Sequence, residues 1–134
     1  MKKKILTLTI FICVVMALQG CSGGLPEGFD QEKITQEAKT VVETINSLSY
    51  EDVVKLIRED LREQVKAQDL QSAWGDKLSA AGEFIEYKNI AYASSQGGTE
   101  NYGVVVINCV YENDSATFTL MFDKNYELVG LYMK

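Results

Sequence analysis

The chain has 134 residues, of which 46% are hydrophobic and 10% aromatic, so it is large enough for one small domain with a packed core and is unlike a disordered stalk. Its formal net charge of −6 argues against nucleic acid and anionic lipid headgroups as partners, because both select clustered lysine and arginine. The chain contains no histidine, so a catalytic thiol would lack its usual base.

The first 21 residues have the pattern of a lipoprotein signal. Lys2, Lys3 and Lys4 precede an apolar run from Ile5 to Ala17, which is too short to span a bilayer comfortably. The tetrapeptide Leu18-Gln19-Gly20-Cys21 resembles the bacterial lipobox, which implies cleavage after Gly20 and a diacylglyceryl group on the Cys21 sulfur. An ordinary secretory signal with a chance cysteine and a short core helix are the alternatives. The sequence therefore predicts lipidation of Cys21 and a lipid-anchored protein on the extracytoplasmic face of the cell membrane.

Cleavage would leave 134 − 20 = 114 residues, with 13 − 3 = 10 basic and 19 acidic side chains and a formal charge of −9. Residues 21–29 have the composition of a flexible tether, and residues 30–134 are expected to form a single domain. Cys109 would be the one cysteine that is neither removed nor acylated. It lies in an apolar run and is expected to behave as a small buried hydrophobe.

Three helices are predicted in the first half of the domain. Asp30 is expected to cap a helix whose apolar side chains recur at steps of three and four. A short helix follows from Tyr50 to about Arg58, and residues 59–66 are expected to form a turn leading into more helix. The third helix spans about Gln68 to Ala81 and is ended by Gly82. The apolar stripe of the first helix consists of Ile34, Ala38, Val41, Val42, Ile45 and Leu48.

After Gly82 the hydrophobic period changes from 3.6 to 2, which predicts four strands. They cover about Glu83–Ala93, Tyr102–Glu112, Ala116–Phe122 and Tyr126–Met133, with a loop over residues 94–101. Short connections between consecutive strands indicate an antiparallel meander. The predicted fold class is α+β, with three N-terminal helices packed on a four-stranded antiparallel sheet.

The second predicted strand is apolar on both faces, which is unusual for a sheet covered by helices on one side. Something is therefore expected to cover the outer face: a second copy of the chain, another protein, or the sheet itself by curvature. We favour a symmetric homodimer. One face carries Val105, Ile107, Cys109 and Tyr111, and the proposed dimer face carries Val104, Val106 and Val110.

Several segments together resemble one bacterial family. They are Ala38-x-x-Val41-Val42, Trp74 followed by Gly82-Glu83-Phe84, and Phe122-Asp123-Lys124-Asn125 followed by Leu128-Val129-Gly130-Leu131. In these segments the chain resembles domain of unknown function 3887, over about Gln31 to Met133. The family looks like part of the nuclear transport factor 2-like superfamily. That resemblance implies a cone in which a curved sheet wraps around the helices, with a pocket at its open end and dimers through the outer sheet face.

Catalytic members of that superfamily use an Asp with a His, or a Tyr with an Asp, inside the cone, and this chain has no His. It also has no zinc-ligand spacing, no phosphate-binding glycine loop and no serine elbow. We therefore expect a non-enzymatic domain, without metal or cofactor, that binds a small apolar ligand or a protein partner. The alternatives are a dimerisation module with no pocket ligand, and a hydrolase or isomerase that uses Glu86 or a tyrosine.

Four residues are the candidate ligand-binding set: Trp74, Glu86, Tyr87 and Tyr111. The Trp74 ring is expected at the pocket wall, with Tyr87 or Tyr111 opposite, where aromatic faces hold an apolar or cyclic ligand. Glu86 is the carboxylate in the middle of a predicted strand, on the side expected to carry Phe84, Ile90 and Tyr92. The simpler alternatives place Trp74 in the core and Glu86 in solvent beside Lys88.

Overall fold

The structure, a computed structural model, describes residues 24–134. Cys21 and the predicted signal segment lie outside the described residues. Within residues 24–134, no helix is both long and apolar enough to cross a membrane. The elements, in chain order, are α1 (Gln31–Asn46), α2 (Tyr50–Leu56), a 3-10 helix (Glu59–Gln64), α3 (Ala67–Ala81), β1 (Phe84–Gly97), β2 (Glu100–Tyr111), β3 (Ser115–Phe122) and β4 (Leu128–Met133).

Helix α1 begins and packs as its sequence predicts. The Asp30 carboxylate accepts the backbone N–H groups of Glu32 and Lys33, at 3.0 and 3.4 Å, and so caps the helix. Leu48 departs from the predicted stripe, because the helix ends at Asn46 and Leu48 takes a left-handed backbone conformation (φ +62°). Its side chain is 44% exposed. The other five stripe residues are buried: Ile34, Ala38, Val41, Val42 and Ile45.

The four strands form one antiparallel sheet in the order β1-β2-β3-β4, which confirms the predicted meander and the α+β fold class. The inner face of the sheet packs against the helices. Ile107 lies at its centre, opposite Ile90 on one side and Phe118 on the other. Val105, Ile107, Cys109 and Tyr111 all belong to the main core, as their alternation predicts.

The connection between β1 and β2 is shorter than predicted. Residues 94–101 read as a polar loop, yet β1 continues to Gly97 and β2 resumes at Glu100, which leaves a turn at Gly98-Thr99. Gly98 supplies the positive φ (+68°) that this tight turn needs. Side-chain polarity misleads here because residues 95–97 and 100–102 extend beyond β3 as a two-stranded ribbon with a paired backbone, in which Ser95 alone has a buried side chain.

Strand β1 contains two register shifts, between Phe84 and Glu86 and between Tyr87 and Asn89. Because of them Phe84, Tyr87 and Ile90, spaced three apart, all pack against the core. Glu86 is exposed and pairs in register with Val110. The expectation that Glu86 shares a side with Phe84, Ile90 and Tyr92 is therefore wrong, because strict alternation fails at a bulge.

The outer face of the sheet is partly covered by the chain itself. Val104, Met121 and Val129 are 1%, 8% and 8% exposed, and Leu61 of the 3-10 helix packs against them. The segment before this helix lies along the edge of β4, where the Arg58 N–H donates to the Leu128 carbonyl at 2.8 Å. Val104, one of the three residues of the predicted dimer face, is therefore covered by the chain itself and has no free surface for a partner. Val106 and Val110 remain half-buried.

Candidate functional site

Different turns and helix termini meet at the two ends of the domain, which we call the hairpin end and, after the cleft described below, the cleft end. At the hairpin end lie the N-terminus of α1, the β1–β2 turn and the β3–β4 turn, since Gly103 pairs with Phe122 and the Asp30 N–H donates to the Tyr126 hydroxyl at 2.9 Å. At the cleft end lie the C-termini of α1 and α3, the start of β1 and the β2–β3 turn. The Asn113 N–H donates there to the Ala81 carbonyl at 2.8 Å.

A cleft of about 500 Å³ opens at the cleft end. Its walls come from the last turns of α1 and α3, the first residues of β1 and the last residue of β2. Both apolar and polar side chains reach it, as in many small-molecule sites. The lining residues are Asn46, Leu48, Leu78, Ser79, Gly82, Glu83, Phe84 and Tyr111.

Three aromatic rings form one cluster at the inner wall of this cleft. The Phe84 ring lies 4.8 Å from the Tyr87 ring and 5.8 Å from the Tyr111 ring, centroid to centroid. The bulges in β1 make this contact, because they place Phe84 and Tyr87 on the same face. The Lys39 ammonium lies 5.0 Å from the centroid of the Tyr87 ring.

The polar groups of the cluster are held neutral. The Tyr111 hydroxyl donates to the Asn46 side-chain oxygen at 2.5 Å, and burial raises the pKa of Tyr111 well above its usual range. Burial likewise raises the pKa of Tyr87 to about 12 and that of the Cys109 thiol to about 12. Near neutral pH these groups therefore hold their protons and serve as hydrogen-bonding or apolar surface.

Gly82 and Glu112 fix the junction between α3 and β1. Gly82 has a positive φ (+87°), and a Cβ at this position would lie 2.6 Å from Glu112 Oε1. The same oxygen accepts the Glu83 backbone N–H at 3.0 Å. Glycine is therefore required here both by the backbone conformation and by the close approach of Glu112.

Two of the four predicted ligand-binding residues come together in the structure. Tyr111 lines the cleft and Tyr87 contacts the same Phe84 ring. Trp74 is 6% exposed, packs edge-to-face on Phe118 at 6.4 Å, and is not among the residues lining this cleft. Glu86 lies in solvent on the other side of β1.

Sequence reasoning did not select Asn46, Leu48, Leu78 or Phe84 as site residues. Leu78 and Leu48 follow the helical apolar pattern and read as ordinary core residues. Their place in the cleft depends on where each helix ends. The Gly82-Glu83-Phe84 segment carried a usable signal, because a helix-ending glycine followed by an aromatic residue marks a junction between a helix and a strand.

Two other depressions are less suited to a ligand. One, of about 740 Å³, lies along the solvent-facing side chains of α1 and Tyr92, which surround it only loosely. The other, of about 440 Å³, shares Leu48 and Ser79 with the cleft and extends it along polar residues of α3. The cleft is the one of these three that reaches the aromatic cluster.

Comparison with known proteins identifies one solved structure and one family model. No curated protein matches the chain, but a solved structure does: the NMR structure of a protein from Ruminococcus gnavus ATCC 29149. The two are 28% identical with a TM-score of 0.75, and the match covers 81% of this chain and 95% of that one. The family model described as "Protein of unknown function (DUF3887)" matches residues 38–131, so the chain belongs to this family.

Proposed function

We propose that the protein is a lipid-anchored domain on the extracytoplasmic face of the membrane, of the nuclear transport factor 2-like superfamily, which binds a small, partly apolar ligand without transforming it. The observation that carries the proposal is the cleft between the ends of α1 and α3, with its wall of neutral aromatic rings. Its volume of about 500 Å³ falls in the usual range for small-molecule sites, roughly 300–1,000 Å³.

The chemistry of the wall favours binding over catalysis. A general acid or base works best with a pKa near the working pH, whereas burial moves the pKa values of Tyr87 and Tyr111 away from neutrality. The Asn46 amide, held by Tyr111, is a fixed polar group suited to orienting a ligand. Leu48 and Leu78 supply apolar contact on the helical side.

The start of the described chain supports an anchor close to the domain. Leu25 and Phe29 pack against the main core, and the Phe29 ring lies 5.7 Å from that of Tyr126. The expected tether over residues 21–29 is thereby shortened, because packing begins at Leu25, four residues after Cys21. Four residues span at most about 14 Å, so an acylated Cys21 would hold the hairpin end near the bilayer.

The cleft would then open away from the membrane. Helix α1 begins at the hairpin end and its last residue, Asn46, lines the cleft. Its 16 residues span about 24 Å at roughly 1.5 Å per residue. An anchored domain would thus present its site to solutes rather than to lipid.

The ligand proposal is tested by NMR titration of residues 21–134 carrying Cys21→Ser, with 2-phenylethanol as the probe. We expect saturable shifts of the Leu78, Phe84 and Tyr111 signals. Ser79 is exposed and lines the cleft, so Ser79→Trp should fill it and abolish the shifts. Ala73→Trp, at an exposed position of the same helix outside the cleft, is the matched control. Equal binding by both variants, or shifts confined to other surfaces, would refute the proposed site.

The anchor is tested in the native membrane. Mass analysis of the full-length gene product should find an acylated N-terminal cysteine at position 21, and Cys21→Ser should release the protein from the membrane fraction. An unmodified Cys21 in membrane-purified protein would overturn this part of the proposal without affecting the cleft.

A homodimer is the second proposal, and exposed apolar side chains on the outer face favour it. Val106 pairs with Thr119, which pairs with Tyr132, so these residues form one row across the sheet. Tyr132 is 46% exposed. Val106→Lys should give a monomer in sedimentation velocity, whereas Gln36→Lys, which adds the same charge at an exposed position of α1, should leave association unchanged. A monomeric parent protein at tens of micromolar would exclude the dimer.

A further inference from the structure

We infer that the ligand of the cleft is an organic cation, an amine or quaternary ammonium that carries an apolar or aromatic group. This inference rests on the proposed ligand-binding role of the cleft and adds the charge of the ligand. Three independent features of the same cavity carry it: two helix C-termini, carboxylates at its rim, and the faces of the aromatic cluster.

Two helices point their negative ends at the cavity. Asn46, the last residue of α1, and Gly82, the cap of α3, both line it. Each helix C-terminus acts as about half a negative charge, which attracts cations. A lysine or arginine in the last turn commonly offsets this charge, but the last turns of these two described helices contain neither. Neutral donors bond to these helix ends instead: Asn113 donates to the Ala80 and Ala81 carbonyls, and the Ser47 hydroxyl donates to the Thr44 carbonyl. The helix dipoles therefore keep their negative ends at the cavity without a positive side chain of the last turns beside them.

Carboxylates strengthen the negative potential at the rim. Glu83 lines the cleft, and the Glu112 carboxylate lies against Gly82, where it accepts the Glu83 N–H. The nearest lysine on α3, Lys77, forms an ion pair with Asp114 at 3.2 Å. Its charge is therefore largely compensated, and the rim keeps an excess of negative charge.

The aromatic wall suits a cation that also has an apolar part. Ring faces attract ammonium groups, and this cluster already holds one, since the Lys39 ammonium lies over Tyr87. Lys39 lines the depression along α1 and is not among the residues that line the cleft. Phe84 and Tyr111 line the cleft itself and offer the corresponding contact to a bound ligand.

The test compares three probes of similar size and different charge: 2-phenylethylammonium, 2-phenylethanol and phenylacetate. The protein is residues 21–134 with Cys21→Ser, and the Kd is measured by NMR titration at low ionic strength. We expect the ammonium to bind about tenfold more tightly than the alcohol, and phenylacetate to bind most weakly. Added salt should reduce the difference because the rim is exposed to solvent.

A pair of variants assigns the preference to the cleft. Glu83→Gln removes one rim charge and should reduce the ammonium-to-alcohol ratio about threefold without changing the affinity for the alcohol. Glu127→Gln removes the same charge at an exposed position of the hairpin end and should leave the ratio unchanged. Equal reductions in the two variants would mean a general effect of net charge and would overturn the inference.

The possible failures are distinguishable. If the alcohol and the ammonium bind the cleft equally well, or phenylacetate binds best, the ligand is not selected as a cation, while the ligand-binding proposal stands. If saturating amounts of all three probes leave the signals of the cleft residues unchanged, the proposed ligand-binding function fails together with this inference.

Discussion

The two ends of the domain are held together by opposite kinds of chemistry. At the hairpin end, charged and polar groups tie the turns to one another, and Asp123 is buried there with a side chain only 6% exposed. At the cleft end the buried contacts are neutral: aromatic rings, a phenol bonded to an amide, and a buried thiol. The charged contacts there, of Glu112 and of the Lys77–Asp114 pair, lie at the exposed surface. A partly buried ion-pair network closes the hairpin end, whereas the described residues that line the cleft form no ion pair with one another.

The hairpin end is organised around one carboxylate. One oxygen of Asp123 accepts the N–H groups of Asn125 and Glu127, each at 2.9 Å, and the other accepts Arg58 Nη1 at 3.0 Å. Arg58 also bonds to Asp60 and Glu100. This network joins the β3–β4 turn, the β1–β2 hairpin and the segment before the 3-10 helix. It fixes these three segments relative to one another, in addition to the apolar contacts that Phe29 and Leu61 make at this end.

The difference between the ends suggests a division of roles. A carboxylate satisfied by three donors fixes geometry, whereas buried neutral groups in an incompletely filled cavity leave room for a ligand. The following predictions test whether the two ends depend on different interactions, beginning with the largest expected effect.

Alkaline pH should unfold the domain from the cleft end. Cys109 and Tyr87 have pKa values raised by burial to about 12, and the pKa of Tyr111 is raised as well. In the unfolded chain these groups ionise near their ordinary values, so between about pH 9 and 12 the unfolded state binds fewer protons. Stability should be constant below about pH 9 and fall as the pH rises towards 12. Three groups act together, so the loss should exceed that from any substitution below.

Urea unfolding at pH 7 and at steps from pH 9 to 11.5 measures this fall. Tyr87→Phe should make the fall less steep, because one titrating group is removed. Tyr132→Phe, which changes a tyrosine that is 46% exposed, is the control. A stability that stays constant to pH 11 would contradict the expected role of these buried groups.

Replacing Asp123 should destabilise the domain through the hairpin end. Asp123→Ala leaves two partly buried N–H groups without their acceptor and removes one of the three carboxylate partners of Arg58, and we expect a loss of about 3 kcal/mol in the free energy of unfolding. Asp123→Asn keeps an oxygen for the two N–H groups and should cost about 1 kcal/mol. Asp60→Ala, which removes an exposed partner of the same arginine, should change stability little.

Ligand binding tests whether the hairpin end and the cleft end are independent of each other. If the two ends are independent, Asp123→Asn should leave the Kd of the cleft for 2-phenylethanol unchanged. A large change in that Kd would show that the ends are coupled and that the proposed division is wrong.

The sequence predicted the fold because each element carried its own local signal. The spacing of Ile34, Ala38 and Val41 specified a helix face, Asp30 specified its start, and the alternation from Val105 to Tyr111 specified the inner face of β2. These signals depend on neighbours within a few residues. The predictions were correct because the apolar faces that these patterns specify are the faces that pack against each other in the core.

The site was less predictable because it depends on irregularities. The bulges in β1 have no local signature, yet they place Phe84 beside Tyr87 and move Glu86 to the solvent side. The exact end of α1 decides that Leu48 borders the cleft instead of the core. The cover over Val104 comes from Leu61, more than forty residues earlier in the chain, which no alternation pattern records.

Two glycines with positive φ provide a matched pair, one at each end. A Cβ at Gly82 would meet Glu112 at 2.6 Å, whereas a Cβ at Gly98 would meet nothing within 4 Å. Gly98→Ala should therefore cost only the backbone strain, about 1 kcal/mol. Gly82→Ala adds a steric clash and should cost about 2 to 3 kcal/mol.

Thermal and urea unfolding of both variants provide the measurement. Gly82→Ala should also shift the NMR signals of Glu83 and Phe84, because Glu112 must move away from the cleft rim. Equal costs at the two positions would mean that the contact between Gly82 and Glu112 does not shape this end.

The smallest expected effect compares two tyrosine hydroxyls. Tyr111 is 4% exposed and its hydroxyl donates to Asn46, whereas Tyr92 is half-buried and its hydroxyl bonds to Thr35 on the outer part of α1. Each Phe variant loses one hydrogen bond of similar length. At Tyr92 water can replace the lost partner, so Tyr92→Phe should cost about 0.5 kcal/mol, and Tyr111→Phe about 1.5 kcal/mol.

The same pair separates stability from binding at the cleft end. Tyr111→Phe frees the Asn46 side chain to turn, so the affinity for 2-phenylethanol should change, whereas Tyr92→Phe should leave it as in the parent protein. Titration of both variants at a temperature where each is fully folded makes the comparison. An unchanged Kd for Tyr111→Phe would mean that the hydrogen bond to Asn46 holds the end of α1 in place but does not orient a ligand.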